Sequence, residues 1–392
     1  MSRVLLLILN VVFAHDHIHL EGETYFKSVK QLTFGGQNAE AYFSFDNKKL
    51  TYQAMGGPYG TDCDQIYQID LDHPDTTPRR VSSGNGVCTC SYFLPDNRSF
   101  IFASTFLTAN STNKNTCPIK QCDARNPKNK EGKLHELCNK NESYFWDIIP
   151  DYDIFVANEY GTIIKQLTFH KGYDAEAVLS PDGETILYTS DFTGDLELHL
   201  MTVNGTYLEQ ITNELGYDGG AFFSPNGKKI VYRASRPRTE EEIQHYKDLL
   251  EYHIVEPVEM EIFVYDLETR NHTQVTNLTG ANWAPYYLND NKRIIFSSNH
   301  QSKGGSFHDF SLYIINDDGT GLERVTATGN FDAFPMQSYD GKYVVFGSTR
   351  NGSSGHEINI FLAEWNESSV SPLSVSSFLF VFLGFVTLFI VR

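Results

Sequence analysis

The chain has 392 residues, with 49 acidic against 31 basic side chains and a formal net charge of -18. That length accommodates roughly two ordinary domains or one large repeat-built domain, and the acidic balance argues against nucleic acid, whose phosphates need a basic surface. With 20% charged and 14% aromatic residues the composition excludes a disordered chain, and many Tyr, Phe and Gly residues suggest short strands joined by turns.

The N-terminus carries Arg3 and then the apolar run from Val4 to Leu9, too short to span a bilayer, with small residues at Val12 and Ala14. This pattern predicts a secretory signal peptide, residues 1–14, cleaved after Ala14; an N-terminal core strand is the alternative. Cleavage there leaves His15-Asp-His-Ile-His19 as the mature start of an N-terminal segment, 15–28. The free α-amine of His15, two backbone amides and the third-position His17 then form a square-planar Cu(II) or Ni(II) site, against a plain frayed terminus.

From residue 29 to 366 two short motifs recur six times. The first is Gln31-Leu-Thr33, Arg80-Val-Ser82, Gln166-Leu-Thr168, Gln210-Ile-Thr212, Gln274-Val-Thr276 and Arg324-Val-Thr326. The second follows each one, as in Ala177-Val-Leu-Ser-Pro-Asp-Gly183 and Ala221-Phe-Phe-Ser-Pro-Asn-Gly227. Asp/Asn-Gly and Asp-Asn pairs accept the positive φ of tight hairpin turns, and Pro before Asp suits a turn's first corner. Strands spaced about 8–12 residues apart within a period of about 45 residues predict four-stranded blades set radially, rather than a β-sandwich. The fold class is therefore all-β, a six-bladed β-propeller. Its ring is expected to close by pairing Val29–Phe34 beside Ile358–Glu364, which removes two open sheet edges.

Two insertions interrupt the repeat. Residues 105–150 form a polar, Cys-rich loop insertion with little periodicity. The six cysteines, Cys63, Cys88, Cys90, Cys117, Cys122 and Cys138, suggest up to three disulfides in an oxidising compartment; without a paired C-x-x-C a zinc knuckle is the weaker alternative. Residues 236–258 form a short helical insertion. Thr239-Glu-Glu-Glu242 is a capping box, and Ile243, Tyr246, Leu249, Leu250 and His253 share one face, to pack on the propeller or to dock a partner. Asn-x-Ser/Thr sequons begin at Asn97, Asn110, Asn141, Asn204, Asn271, Asn277, Asn351 and Asn366, as in a glycosylated surface protein.

Residues 367–392 read as a C-terminal anchor signal. Small polar residues precede an apolar run from Phe378 to Val391, closed by Arg392. This is the pattern of GPI attachment, with Ser368 or Ser369 as the attachment residue; a transmembrane helix, Leu373 to Val391, is the competing reading. Either way the protein faces outward from a membrane.

The Leu-Thr…Ser-Pro-Asp-Gly pattern resembles the PD40, or TolB-like, six-bladed β-propeller family over about residues 25 to 366. Arg236-Pro-Arg-Thr-Glu-Glu-Glu242 is similar to a helix insertion in a group of secreted propellers of that kind. The resemblance implies protein–protein contact or a role beside a hydrolase domain, and fold alone does not decide function.

Aligning the six units by their turns places Asn38, Cys88, Asp174, Asp218, Asn282 and Asp332 at the entrance to the inner strands. Two residues on stand Glu40, Cys90, Glu176, Gly220, Ala284 and Phe334, expected on the same side by strand alternation. A channel mouth ringed by these acids and amides suits Ca²⁺ or an amine-bearing ligand; alternatively the side chains tie neighbouring blades. The nucleophile-elbow, His-Glu-x-x-His and phosphate-loop motifs are absent. The sequence thus favours a glycosylated, membrane-anchored, non-catalytic module for an extracellular protein or glycan ligand. A channel hydrolase or metal-dependent polysaccharide lyase, and a structural surface-coat protein, are the alternatives.

Overall fold

The computed structural model describes residues 18–109, 117–139, 144–302, 309–327, 329 and 331–367. The signal segment and residues 368–392 of the anchor segment, with His15, His17, Ser368 and Ser369, lie outside these residues, as do Asn110 and Asn141. Six four-stranded antiparallel sheets follow one another around a central axis. Their inner strands are Gln37–Phe43, Cys88–Phe93, Asp174–Leu179, Asp218–Phe223, Asn282–Tyr287 and Asp332–Gln337. The ring closes between the two ends of the propeller. Phe26–Gln31 pairs antiparallel with Asn359–Trp365, Val29 opposite Ala363 and Gln31 opposite Phe361, as the repeat arithmetic requires.

The two recurring motifs are hydrogen-bonding devices. In the first, the hydrophobic middle residue is buried in every blade (Leu32, Val81, Leu167, Ile211, Val275, Val325). The hydroxyl after it accepts a main-chain N–H from the adjacent strand, from Ile154 to Thr168, Leu198 to Thr212 and Ile262 to Thr276. The Gln before it donates to the carbonyl of the same Thr, at Gln166, Gln210 and Gln274. In the second motif, Ser180 Oγ accepts the N–H of Thr185, and Asp182 accepts that of Glu184. Where Leu replaces the Ser, at Leu94 and Leu288, Asp96 and Asp290 each take two main-chain N–H groups instead. Each repeat therefore satisfies its own turn, which is why the pattern survives six different contexts.

Each inner strand is broken by a β-bulge, with register shifts after Ala39, Thr89, Ala175, Gly219, Trp283 and Ala333. The bulged residues are Glu40, Cys90, Glu176, Gly220, Ala284 and Phe334, all at φ between 47° and 58°. The bulge overrides strand alternation, so residues two apart no longer share a face.

The two insertions, separate in sequence, form one cap. Trp146–Asp147 pairs antiparallel with Ile254–Val255. The helix Lys133–Cys138 contributes Leu134 and Leu137 to a small core with Leu249 and Ile254. Lys133 meets Asp248 at 2.7 Å. The helix Glu240–Glu251 has the expected capping box, buries Tyr246 and Leu249, and anchors on the propeller through Tyr246 Oη donating to Asp195 at 2.5 Å. The disulfides Cys63–Cys117 and Cys122–Cys138 tie the cap to blade one and to itself. Among the described residues no helix is long and apolar enough to cross a membrane.

Candidate functional site

The entrance ring does not surround an open mouth. Asn38, Cys88, Asp174, Asp218, Asn282 and Asp332 are all at most 2% exposed. Each donates its main-chain N–H to the preceding blade, to the carbonyls of Ile358, Asp64, Tyr152, Leu196, Met260 and Phe310 at 2.9–3.1 Å. Their side chains turn into the blades. Asn38 Nδ2 also donates to Ile358 O, and Asn282 Nδ2 to Met260 O. Asp332 accepts from Ser348 and Arg350, and Asp218 from Arg236. Of this ring only Asn38 borders the axial cavity. The expected cation ring is corrected accordingly: these residues tie blades, and among the described residues no three His, Cys, Asp or Glu side chains converge to hold a metal.

Of the up to three disulfides expected, two form, and the expected bridging of Cys88 and Cys90 is corrected, because both are free thiols. The bulge separates them. Cys88 enters the core of its blade beside Ser104 Oγ at 3.3 Å, and burial pushes its pKa up to about 12. Cys90 faces the axis and donates to Glu40 Oε2 at 2.9 Å. Burial and then the Glu40 charge hold that thiol well above the usual range.

The bulged residues carry the site. The first four positions around the axis present a carboxylate (Glu40), a thiol (Cys90), a carboxylate (Glu176) and, at Gly220, no side chain. Arg233 from the adjacent strand fills that vacant place. A Cβ on Gly220 would stand 2.0 Å from Arg233 Nη1. Ala284 and Phe334 complete the ring, leaving it polar on one side and apolar on the other.

Glu176 gathers five donors: Tyr173 Oη at 3.1 Å, Thr189 Oγ1 at 3.3 Å, Arg233 Nη2 at 3.2 Å, the Tyr217 hydroxyl and the Gly220 N–H. The guanidinium of Arg233 also donates to Tyr217 Oη at 2.6 Å and lies over Trp146, 4.8 Å from its ring centroid. Glu40 receives the Cys90 thiol and the Tyr42 hydroxyl, both neutral donors. Burial pushes its carboxyl above the ordinary range, the thiol offsets part of that, and Glu176 adds to it.

Above this floor is a cavity of about 750 Å³. Its walls include Tyr152, Tyr173, Tyr217, Trp283, Phe331 and Phe334, and the cap roofs it with Tyr144 and Trp146. Six carboxylates border it against the three cations Lys120, Arg125 and Arg233. Burial, opposed by Lys120, lifts Asp64 to about 7. Beneath the floor the axis is plugged by Tyr42, Tyr92, Phe222 and Tyr286, whose rings pack at 5.2–6.4 Å. The channel is a blind cup with one capped mouth.

Sequence reasoning named Glu40 and Glu176, which the structure brings together at the floor. It missed Arg233, Tyr173, Tyr217, Trp146 and Trp283. The signal was present in Gly219-Gly220, two small residues in an inner strand where the other blades carry side chains. A Cβ at Gly219 would fall 2.6 Å from Glu176 Oε2.

No family model matches the chain, and no curated protein matches it in sequence. Among solved structures it is similar to a putative TolB from Agrobacterium tumefaciens, at 14% identity and a TM-score of 0.50 over 84% of this chain and 91% of that one. TolB from Acinetobacter baumannii is similar at 16% identity and a TM-score of 0.49 over 75% of this chain; the match spans 55% of that protein's length. An oligogalacturonate lyase in complex with manganese is similar at 14% identity and a TM-score of 0.48, over 87% and 93% of the two chains. The repeats, the six closed blades and the Agrobacterium likeness together make this chain a six-bladed β-propeller of the TolB-like fold.

Proposed function

We propose that the chain is a glycosylated cell-surface binding module that takes an extracellular glycan, or a group displayed on a protein, into its capped axial cavity. The observation that carries this reading is the blind cup itself. An aromatic-walled cavity of about 750 Å³, with a few buried polar groups at its floor, has the size and chemistry of a ligand site. Aromatic faces suit the apolar faces of sugar rings, and the fixed carboxylates and guanidinium orient polar substituents. The apolar N-terminal run, the sequons and the C-terminal pattern support an outward-facing location. Asn204, Asn271 and Asn277 are exposed and accessible for glycosylation. Asn97, Asn351 and Asn366 spend their side-chain amides on hydrogen bonds to the protein, to Pro95 O, Gln31 Oε1 and Thr24 O.

The test is a glycan array and a cell-surface ectodomain screen with the full-length chain, repeated with Phe334→Trp, which fills part of the cavity. The expected result is saturable binding by the wild type, lost in the variant while the thermal midpoint holds. A ligand indifferent to Phe334→Trp, or no saturable ligand at all, overturns the reading.

A further inference from the structure

The cavity floor has two unmet requirements, and they differ in sign. The first is a cation for Glu40: burial holds its carboxyl above the ordinary range, and an incoming positive charge would return it to its ionised form. Two carboxylates, Glu40 and Glu176, share one guanidinium, and the bonds of Arg233 go to Glu176 and to Tyr217. Glu40 is left with neutral donors. The whole lining carries twice as many carboxyl groups as cations. The second requirement is a hydrogen-bond acceptor. Arg233 is 7% exposed, and its Nε–H has no partner among the described residues. A buried guanidinium N–H left unpaired costs free energy that an incoming oxygen recovers.

The aromatic walls give the third element. An ammonium group is attracted to the negative faces of Trp and Tyr rings, more strongly where water is excluded. Such rings are also the surfaces on which pyranose rings stack.

We propose that the cavity selects an amino sugar with a free amine, its ammonium group at Glu40 and a neighbouring ring oxygen or hydroxyl at the Nε–H of Arg233. This rests on the reading of the cavity as a glycan-binding site and narrows it to one class of ligand. A hexosamine carries a hydroxyl on the carbon next to its amine-bearing carbon, so one residue meets both requirements at once. A lysine side chain meets only the first, because several methylenes separate its ammonium group from any oxygen. N-acetylation would cancel the charge, and a uronic acid would bring a carboxylate into a lining already rich in them.

Two of the three tryptophans, Trp146 and Trp283, border the cavity, so intrinsic fluorescence reports its occupation. The experiment titrates the full-length chain, in a non-ionic detergent at pH 6.5, with a glucosamine trisaccharide. Its N-acetylated counterpart, a galacturonate trisaccharide and a tri-lysine peptide serve as comparisons. The expected result is a saturable change with the glucosamine trisaccharide and about tenfold or weaker binding of the other three, the size of one charge-assisted hydrogen bond. Glu40→Gln keeps the shape and removes the charge, and should weaken the amine about tenfold without changing the N-acetylated sugar. Glu40→Asp, which keeps the carboxyl but draws it back from the axis, serves as the second variant if Glu40→Gln fails to fold and should also weaken the amine.

Preference for the N-acetylated or acidic sugar overturns the amine selectivity and leaves the glycan site standing. Preference for the lysyl peptide overturns the amino-sugar assignment in favour of protein recognition. Amine binding unaffected by both substitutions also overturns it. If no sugar here and none in the array binds, the cavity reading itself falls.

Discussion

The guanidinium of Arg233 occupies the space that a side chain on Gly220 would take. A Cβ there would lie 2.0 Å from Nη1 and 2.6 Å from Cζ, and Gly220 holds φ at +56°. Gly220→Ala must therefore expel the guanidinium from its place beside Glu176. Breaking a buried ion pair costs about 3–5 kcal/mol, with about 1 kcal/mol more for the left-handed backbone. Gly194→Ala is the control, because its φ is +99° and nothing lies near the added methyl. Urea unfolding should show Gly220→Ala several kcal/mol less stable than Gly194→Ala. Equal losses would mean that only backbone strain is at stake.

The two disulfides should contribute unequally. Closing the 54-residue separation of Cys63–Cys117 is worth about 4 kcal/mol by chain entropy, and the 16-residue separation of Cys122–Cys138 about 3. The double Ser replacement of the first pair is expected to cost more. It should also release amide protection in residues 117–139 and 144–150 before that of the blade strands, as hydrogen exchange would record. A larger loss from the second pair would reverse the ordering.

The free thiols give a direct chemical check on the bulge. Cys88 is fully buried, and both thiols are held above the ordinary pKa by burial first. Iodoacetamide at pH 8 should add no label to the folded protein and two labels after unfolding without reductant. No label in the second condition would mean that Cys88 and Cys90 are oxidised, against the geometry described.

His199 should make the protein acid-sensitive. It is buried, neither ring nitrogen has a hydrogen-bond partner among the described residues, and Phe192 packs 4.4 Å from it. Burial, with His170, lowers its pKa from 6.5 to about 4. The unfolded chain therefore binds the proton more readily. The contribution is fully present above about pH 6.5 and is lost as pH falls through about 4. His199→Phe should flatten that part of the stability profile. A thermal midpoint falling equally in both proteins between pH 6.5 and 4.5 would contradict it.

What was legible in the chain divides by how local the physics is. The six turns and the closing strand could be read because each motif satisfies its own hydrogen bonds within a few residues: Ser180, Asp182 and Thr185 meet inside one hairpin. The capping box at Thr239 is equally local. The bulge was not legible. Glu40, Cys90, Ala284 and Phe334 share no side-chain property, and the positive φ they adopt belongs to the bulge in each inner strand. Missing it put Cys88 and Cys90 on one face and the entrance acids on the channel wall. The single cap was hidden for a different reason: Trp146 and Val255 meet across more than a hundred residues, and nothing in either segment names the other. Arg233 was overlooked because its neighbour Gly220 matters by what it lacks.

The strand Phe26–Gln31 is made before every other strand of the propeller and finds its place only against Asn359–Trp365. The bond from Ile360 N to Thr33 Oγ1 joins residues 327 apart. During synthesis the early strand must therefore wait unpaired until nearly the whole propeller has emerged, with Phe26 and Val29 exposed to every other edge in reach. Five blades can condense as neighbours from local hairpins, but the sixth closes over the largest loop in the molecule, which makes it the slow step. The same clasp that completes the sixth blade gives the growing chain its longest window for mispairing and for engagement by chaperones.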